Sequence, residues 1–175
     1  MATNRLIQKL FAHDESGVGE DSIAVSDRRQ VEKFRVLAVG AGQTETVAAG
    51  DIVALKLDAG SDGEVAFSVS KAAADSHCIG VAISGGTSTT DSGSNVTAAP
   101  FIDVCISGIA EAQVEGANNA GNATVSAGDF LCQGDTAGVL YKYTAGTDAM
   151  PHAIAVDGQS SGATGLKTVI FLSQF

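Results

Sequence analysis

Large aromatic side chains are nearly missing from this chain: there is no Trp, and only two Tyr and seven Phe occur among 175 residues. A core must therefore be filled by small and branched residues, which 21 Gly and abundant Ala, Val and Ile supply. With two Pro, most turns fall to Gly, Asn and Asp. Cys78, Cys105 and Cys132 make an odd set without a Cys-x-x-Cys pair. That argues against a disulfide framework and for buried free thiols, with no need of an oxidising compartment. No run of 18 apolar residues is present, so no membrane-spanning helix is expected. Nor is there an apolar stretch of the export-signal kind near the N-terminus. At this length roughly 70% of the unfolded surface can be buried, enough for one core without staples.

Positive charge is scarce as well. Ten Lys and Arg face twenty Asp and Glu, for a net charge of −10. The imbalance is uneven: residues 1–35 hold six basic residues and six acids, whereas residues 36–175 hold four Lys and fourteen acids. An acidic body repels nucleic acid and anionic membranes, and on its simplest reading keeps the protein soluble. Residues 1–35 read as an N-terminal arm and residues 36–175 as a β-rich domain. In the arm, Leu6, Ile7, Leu10 and Phe11 are spaced for one face of a short helical turn. Such a turn is unstable alone and needs a surface to lie on, either a partner's or the body's own. Arg28, Arg29, Phe34 and Arg35 complete the set of candidate partner contacts.

The body is organised around residues 102–134. Val104, Ile106 and Ile109 mark an apolar strand, with Gly108 placed for a bulge or tight bend. Ala127-Gly128-Asp129 then reads as a turn in which Gly128 takes positive φ, before a strand that starts at Phe130-Leu131-Cys132. The same pieces occur earlier. Val47-Ala48-Ala49-Gly50-Asp51-Ile52 matches Val125-Ser126-Ala127-Gly128-Asp129-Phe130, and Val81-Ala82-Ile83-Ser84-Gly85 matches Ile154-Ala155-Val156-Asp157-Gly158. Each copy is followed by a closing strand, at 102–106 and 168–172. Two copies about 75 residues apart are too few for a solenoid.

Elsewhere, strands are expected near 34–39, 52–57, 65–69, 78–83, 138–143 and 153–156. Residues 85–98, rich in Ser, Thr and Gly, read as a mobile loop. The fold expected is all-β: a compact barrel or sandwich of about ten short strands, built from two related halves, with an extended N-terminal arm.

Sites of chemistry are hard to find. Gly40-Ala41-Gly42 lacks the third glycine and following helix of a dinucleotide site. His77 and Cys78 are adjacent, so on a strand they point to opposite faces and do not share a metal. His13 and His152 have no nearby ligand partner. Asp58, Asp62 and Glu64 resemble the start of a calcium loop, but its twelfth position is Val69 where a bidentate Glu is needed. Asp91-Ser92-Gly93-Ser94 is not a nucleophile elbow. No catalytic, cofactor-binding or metal site is expected, and a non-enzymatic structural or binding role is.

The Ala-Gly-Asp turns with their apolar strands, Ile79-Gly80-Val81-Ala82, and Val104-Cys105-Ile106-Ser107-Gly108-Ile109-Ala110 together resemble the small decoration (cement) proteins of tailed bacteriophage heads, over residues 45–172. The second copy departs at Ala153-Ile154-Ala155-Val156, which has no glycine in the Ile-Gly-Val-Ala place. The resemblance implies a β domain on the outer face of an assembled capsid, often trimeric at local three-fold positions. Its partners would be the major capsid protein and itself as a homotrimer, with no nucleic acid, membrane or cofactor. Free thiols fit assembly in a reducing host cytoplasm. The rival reading is a sugar- or cell-surface-binding β module of a phage fibre or adhesin, whose cue would be exposed aromatic rings.

Overall fold

The computed structural model describes residues 29–38, 40–56, 68–73, 78–148 and 150–172. Within them the regular structure is all β. The strands are β1 (Gln30–Val36), β2 (Thr44–Val47), β3 (Ile52–Leu55), β4 (Ser68–Lys71), β5 (Cys78–Ala82), β6 (Gly86–Thr90), β7 (Val96–Ala98), β8 (Phe101–Asn118), β9 (Gly121–Asn122), β10 (Phe130–Gln133), β11 (Leu140–Lys142), β12 (Ala153–Ala155) and β13 (Thr164–Phe171).

One strand organises the rest. The N-terminal part of β8 closes a ring in the order β1-β4-β3-β5-β8, and its C-terminal part closes a second ring in the order β8-β11-β10-β12-β13. Along one edge of β8, β1 and β13 lie end to end: Gln30 is opposite Ser107, and Phe171 is opposite Gly108. Gly108, at φ 103°, sits where the strand passes from one barrel to the other. A side chain is strained in that conformation, so the expected break falls on a residue that tolerates it.

The two barrels repeat each other in strand order and in most of their registers. β1, β4, β3, β5 and the start of β8 correspond to the end of β8, β11, β10, β12 and β13. Each set contains a single parallel pairing, β1 with β4 and β11 with β8. The Ala-Gly-Asp turns superpose without a gap. Gly50 and Gly128 both have φ 89°, as a type II turn requires. Their amides donate to the Ala82 and Ala155 carbonyls at 2.8 Å, and the Asp51 and Asp129 amides donate to Ala48 and Ser126 at 3.1 Å.

A five-stranded ring is narrow, because barrel diameter grows with strand number. Small side chains fill it. Val36, Val53, Val69, Ile79, Ala82, Ile102 and Val104 form the interior of the first barrel. The second is filled by Ala110, Ala112, Val114, Leu131, Leu140, Ala153, Ala155, Val169 and Phe171. The shortage of large aromatics is thus a consequence of the architecture. Ile52, Ala54, Cys78, Val81 and Cys105, on the back of the first barrel, belong to the same contiguous cluster as the second barrel's interior. The back of the first barrel therefore shares a core with the second barrel, while the first barrel's interior is a core of its own.

Three expectations need correction. The boundary drawn between residues 35 and 36 falls inside β1, whose partners are β8 and β4. Residues 30–35 are barrel wall, and the part of the arm before Arg29 lies outside the described residues, as does 65–67 of the expected strand at 65–69. Residues 85–98 are not a mobile loop but mostly the antiparallel pair β6–β7, which with β2 makes a separate three-stranded sheet. Threonine favours strands, and hydroxyl pairs stitch this sheet: Thr46 with Thr87 at 3.2 Å and Thr89 with Thr97 at 2.7 Å. The Asp91 carboxylate closes its turn by accepting the Gly93 and Asn95 amides at 2.8 and 2.9 Å. Finally, thirteen strands are present among the described residues where about ten were expected, the surplus including β6, β7 and the two-residue β9.

Candidate interaction surface

Among the described residues, no group of three or more His, Cys, Asp or Glu is placed to hold a metal ion. His152 is buried, while His13, His77, Asp58, Asp62 and Glu64 lie outside the described residues. All three cysteines are buried thiols outside any disulfide. Burial pushes the thiols of Cys78 and Cys132 up to about 12, and raises that of Cys105 too. Such thiols are inert, since the nucleophile is the thiolate. Cys78 donates to Gln133 Oε1 at 3.3 Å, joining the back of the first barrel to the second.

The perturbed acids are structural. Burial works against the ionised form of Asp148, but the Thr144 amide and the Tyr141 hydroxyl, which donates at 2.8 Å, outweigh it and hold its carboxyl below the ordinary range. The same burial, with Asp148 as acceptor, raises the Tyr141 hydroxyl. The result is a clamp on the 143–148 turn. Asp91 is lowered by the Asn95 side chain first and then by the Asn95 amide.

Of the candidate contacts, Leu6, Ile7, Leu10, Phe11 and Arg28 lie outside the described residues. Arg29 lines a shallow cleft with Ala49, Gly50, Ile83, Glu111 and Leu166. Phe34 packs, partly buried, against the first barrel's core. Arg35 stands over the ring of Phe101, 5.9 Å from its centroid, and the two are cross-strand partners. Phe101 itself is 63% exposed. The structure thus brings Arg35 to an outward aromatic, and turns Phe34 inward.

An apolar row is the feature the sequence did not single out. Phe130 is opposite Ile154, Ile154 opposite Ile170, and Ile170 opposite Ile109. Directly opposed residues share a face, so these four side chains form one line across β10, β12, β13 and β8. The face is the outer one, because the neighbouring Leu131, Ala153, Ala155, Val169 and Phe171 point into the barrel. Phe130 is 50% and Ile170 38% exposed. The available signal was the unbroken run Val169-Ile170-Phe171, since a strand apolar on both faces reads as a continuous run.

No family model matches the sequence, and no curated protein matches it. Among solved structures, the chain is similar to the head fiber gp8.5 N base in bacteriophage phi29. The TM-score is 0.51 at 15% identity, over 82% of this chain and 95% of that one. At that identity the likeness is one of fold. It extends across nearly the whole of the other chain, so it involves both barrels rather than one.

Proposed function

We propose that this chain is a structural virion protein that binds the outer surface of an assembled phage head and stabilises it by bridging major capsid subunits. The observation that carries this reading is the likeness in fold, at a TM-score of 0.51, to the N base of a phage head fiber. The chemistry of the chain agrees with it: thiols held protonated and acids used to close turns. No reaction is assigned. The partners proposed are the major capsid protein and further copies of the chain as a homotrimer, with residues 1–28 as the docking arm. The acidic surface, with its net charge of −10, suits a protein present in many copies on one shell.

The test is reconstitution on undecorated heads. Full-length protein should saturate a fixed number of sites and raise the temperature at which the heads release DNA. A chain that never binds heads overturns the function. Removal of residues 1–28 should abolish occupancy, and unchanged occupancy would take the arm out of the mechanism.

A second reading, a sugar- or cell-surface-binding module of a fibre, draws on one observation: Phe101 is exposed beside Arg35, and an exposed ring is what sugar stacking needs. Specific binding on a glycan array that is lost with Phe101→Ala would promote it.

A further inference from the structure

The duplication allows each surface of one barrel to be compared with its counterpart on the other. The row Phe130, Ile154, Ile170 and Ile109 corresponds to Ile52, Val81, Cys105 and Val31, joined by the same registers: Ile52 opposite Val81, Val81 opposite Cys105, Cys105 opposite Val31. Their fates differ. Ile52, Val81 and Cys105 are each 0% exposed, because the second barrel packs against them and merges them with its own core. Backbone bonds accompany this packing. The Ile52 amide donates to the Gly138 carbonyl at 2.9 Å, and the Gly138 amide donates to the Ala72 carbonyl at 2.8 Å. The equivalent row on the second barrel is left open: Phe130 is 50% and Ile170 38% exposed.

We infer that the outer row Phe130–Ile154–Ile170 is a docking face for a second copy of this chain, engaged head to tail. The first barrel of one copy covers this row on the next copy, as the second barrel covers Ile52, Val81 and Cys105 within each. The barrel–barrel interface inside the chain is the argument for the occupant: it shows what kind of body this face is built to receive. The contact is heterologous, since the two copies contribute different surfaces. Large apolar side chains at the centre of a patch are also what anchors such an interface. The inference gives a surface to the self-association proposed above, and it is tested without heads, so its failure and that of head binding are separate results.

The experiment uses the full chain in solution. Sedimentation equilibrium over a hundredfold concentration range should show mass rising above that of the 17.5 kDa monomer. Phe130→Asp with Ile170→Asp should shift association to at least tenfold higher concentration, with an unchanged circular dichroism spectrum and melting profile. A photo-crosslinking residue at position 154 should capture peptides from the first barrel of another copy. Three results overturn the inference: a wild-type chain monomeric at every concentration, association unaffected by the double substitution, or crosslinks joining position 154 to the same row of the other copy. If the double variant unfolds, the crosslinking result decides.

Discussion

Asp51 and Asp129 hold the same post in the two barrels. Each carboxylate accepts the backbone amide three residues back, Ala48 or Ser126, at 2.8 Å. Each also binds a lysine from the neighbouring strand, Lys71 at 3.0 Å and Lys142 at 2.8 Å. Their surroundings differ: the Asp51 side chain is 8% exposed and that of Asp129 23%. The two lysines are about equally exposed, so the difference lies at the aspartates: losing the more buried Asp51 leaves the Ala48 amide without its charged acceptor in a drier setting, whereas more exposed pairs contribute little. Asp51→Ala should therefore cost about 2–3 kcal/mol and Asp129→Ala about 1 kcal/mol, read as shifts in the urea midpoint. Equal costs would contradict the assigned difference in burial.

The pH dependence at Asp129 follows from the same geometry. Partial burial opposes ionisation, but the Lys142 ammonium and the Ser126 amide more than offset it, so the folded carboxyl titrates below its ordinary value. A lowered folded value gives stability that is present above the unfolded value of about 4 and is lost as pH falls through the folded one. The gap in stability between the natural chain and Asp129→Asn should be constant from pH 5 to 7. It should close below pH 4, as followed by urea unfolding at each pH.

The thiols set the opposite limit. Cys78 and Cys132 are raised from 9.0 to about 12 by burial. The unfolded thiols therefore ionise first, and stability is full below pH 9 and is lost as pH rises from there toward 12. The urea midpoint should fall over that window. Cys78→Ala with Cys132→Ala should flatten the fall. At pH 8 the native protein should react with a thiol reagent only as fast as it opens, while in denaturant three thiols react at once.

Much of this architecture was legible because a turn leaves a local signature. The two Ala-Gly-Asp turns, the Gly108 hand-over and the two-half order all depend on residues adjacent in sequence. The first part of β1, before the strand expected at 34–39, was missed for the opposite reason. Its exposed charges read as an arm, yet Lys33 lies opposite Asp103 and binds it at 2.8 Å. The partner that turns a charged stretch into a strand is distant in sequence. Residues 85–98 failed similarly, since their hydroxyl pairs reach across strands. The outer row was hidden because Phe130 and Ile52 look alike in sequence, and only packing decides that one is exposed and the other buried.

The position of β1 makes a prediction about truncation. Removing residues 1–28 leaves every described strand in place, and the melting temperature should stay within a few degrees. Removing residues 1–35 deletes the strand that pairs with both β4 and β8, opening the first barrel and exposing Val53, Val69 and Val104. At about 1.5–3 kcal/mol for each large side chain exposed, the three together lose about 4.5–9 kcal/mol, comparable with the roughly 5–15 kcal/mol that holds a domain folded. The longer truncation should lose its cooperative transition by circular dichroism, so a head-binding assay of the arm must stop at residue 28.

Gly80 shows where the two halves are not interchangeable. It occupies the Ile-Gly-Val-Ala place whose counterpart is Ala153, which is fully buried and accommodated. At position 80 a Cβ would lie 2.4 Å from the Cys105 carbonyl oxygen and 2.6 Å from Val104 Cγ1. Backbone cannot yield as a side-chain tip does, so Gly80→Ala forces β5 away from β8 in the barrel that already carries the inter-barrel contact. Overpacking of this kind costs about 1–3 kcal/mol, and the backbone clash places this substitution at the upper end. Ala153→Gly removes one methyl and loosens the chain, for about 1 kcal/mol. The order of the two urea midpoints checks the argument: Gly80→Ala should fall further than Ala153→Gly, and a harmless Gly80→Ala would mean that β5 and β8 are not in the register given by Val81 opposite Cys105.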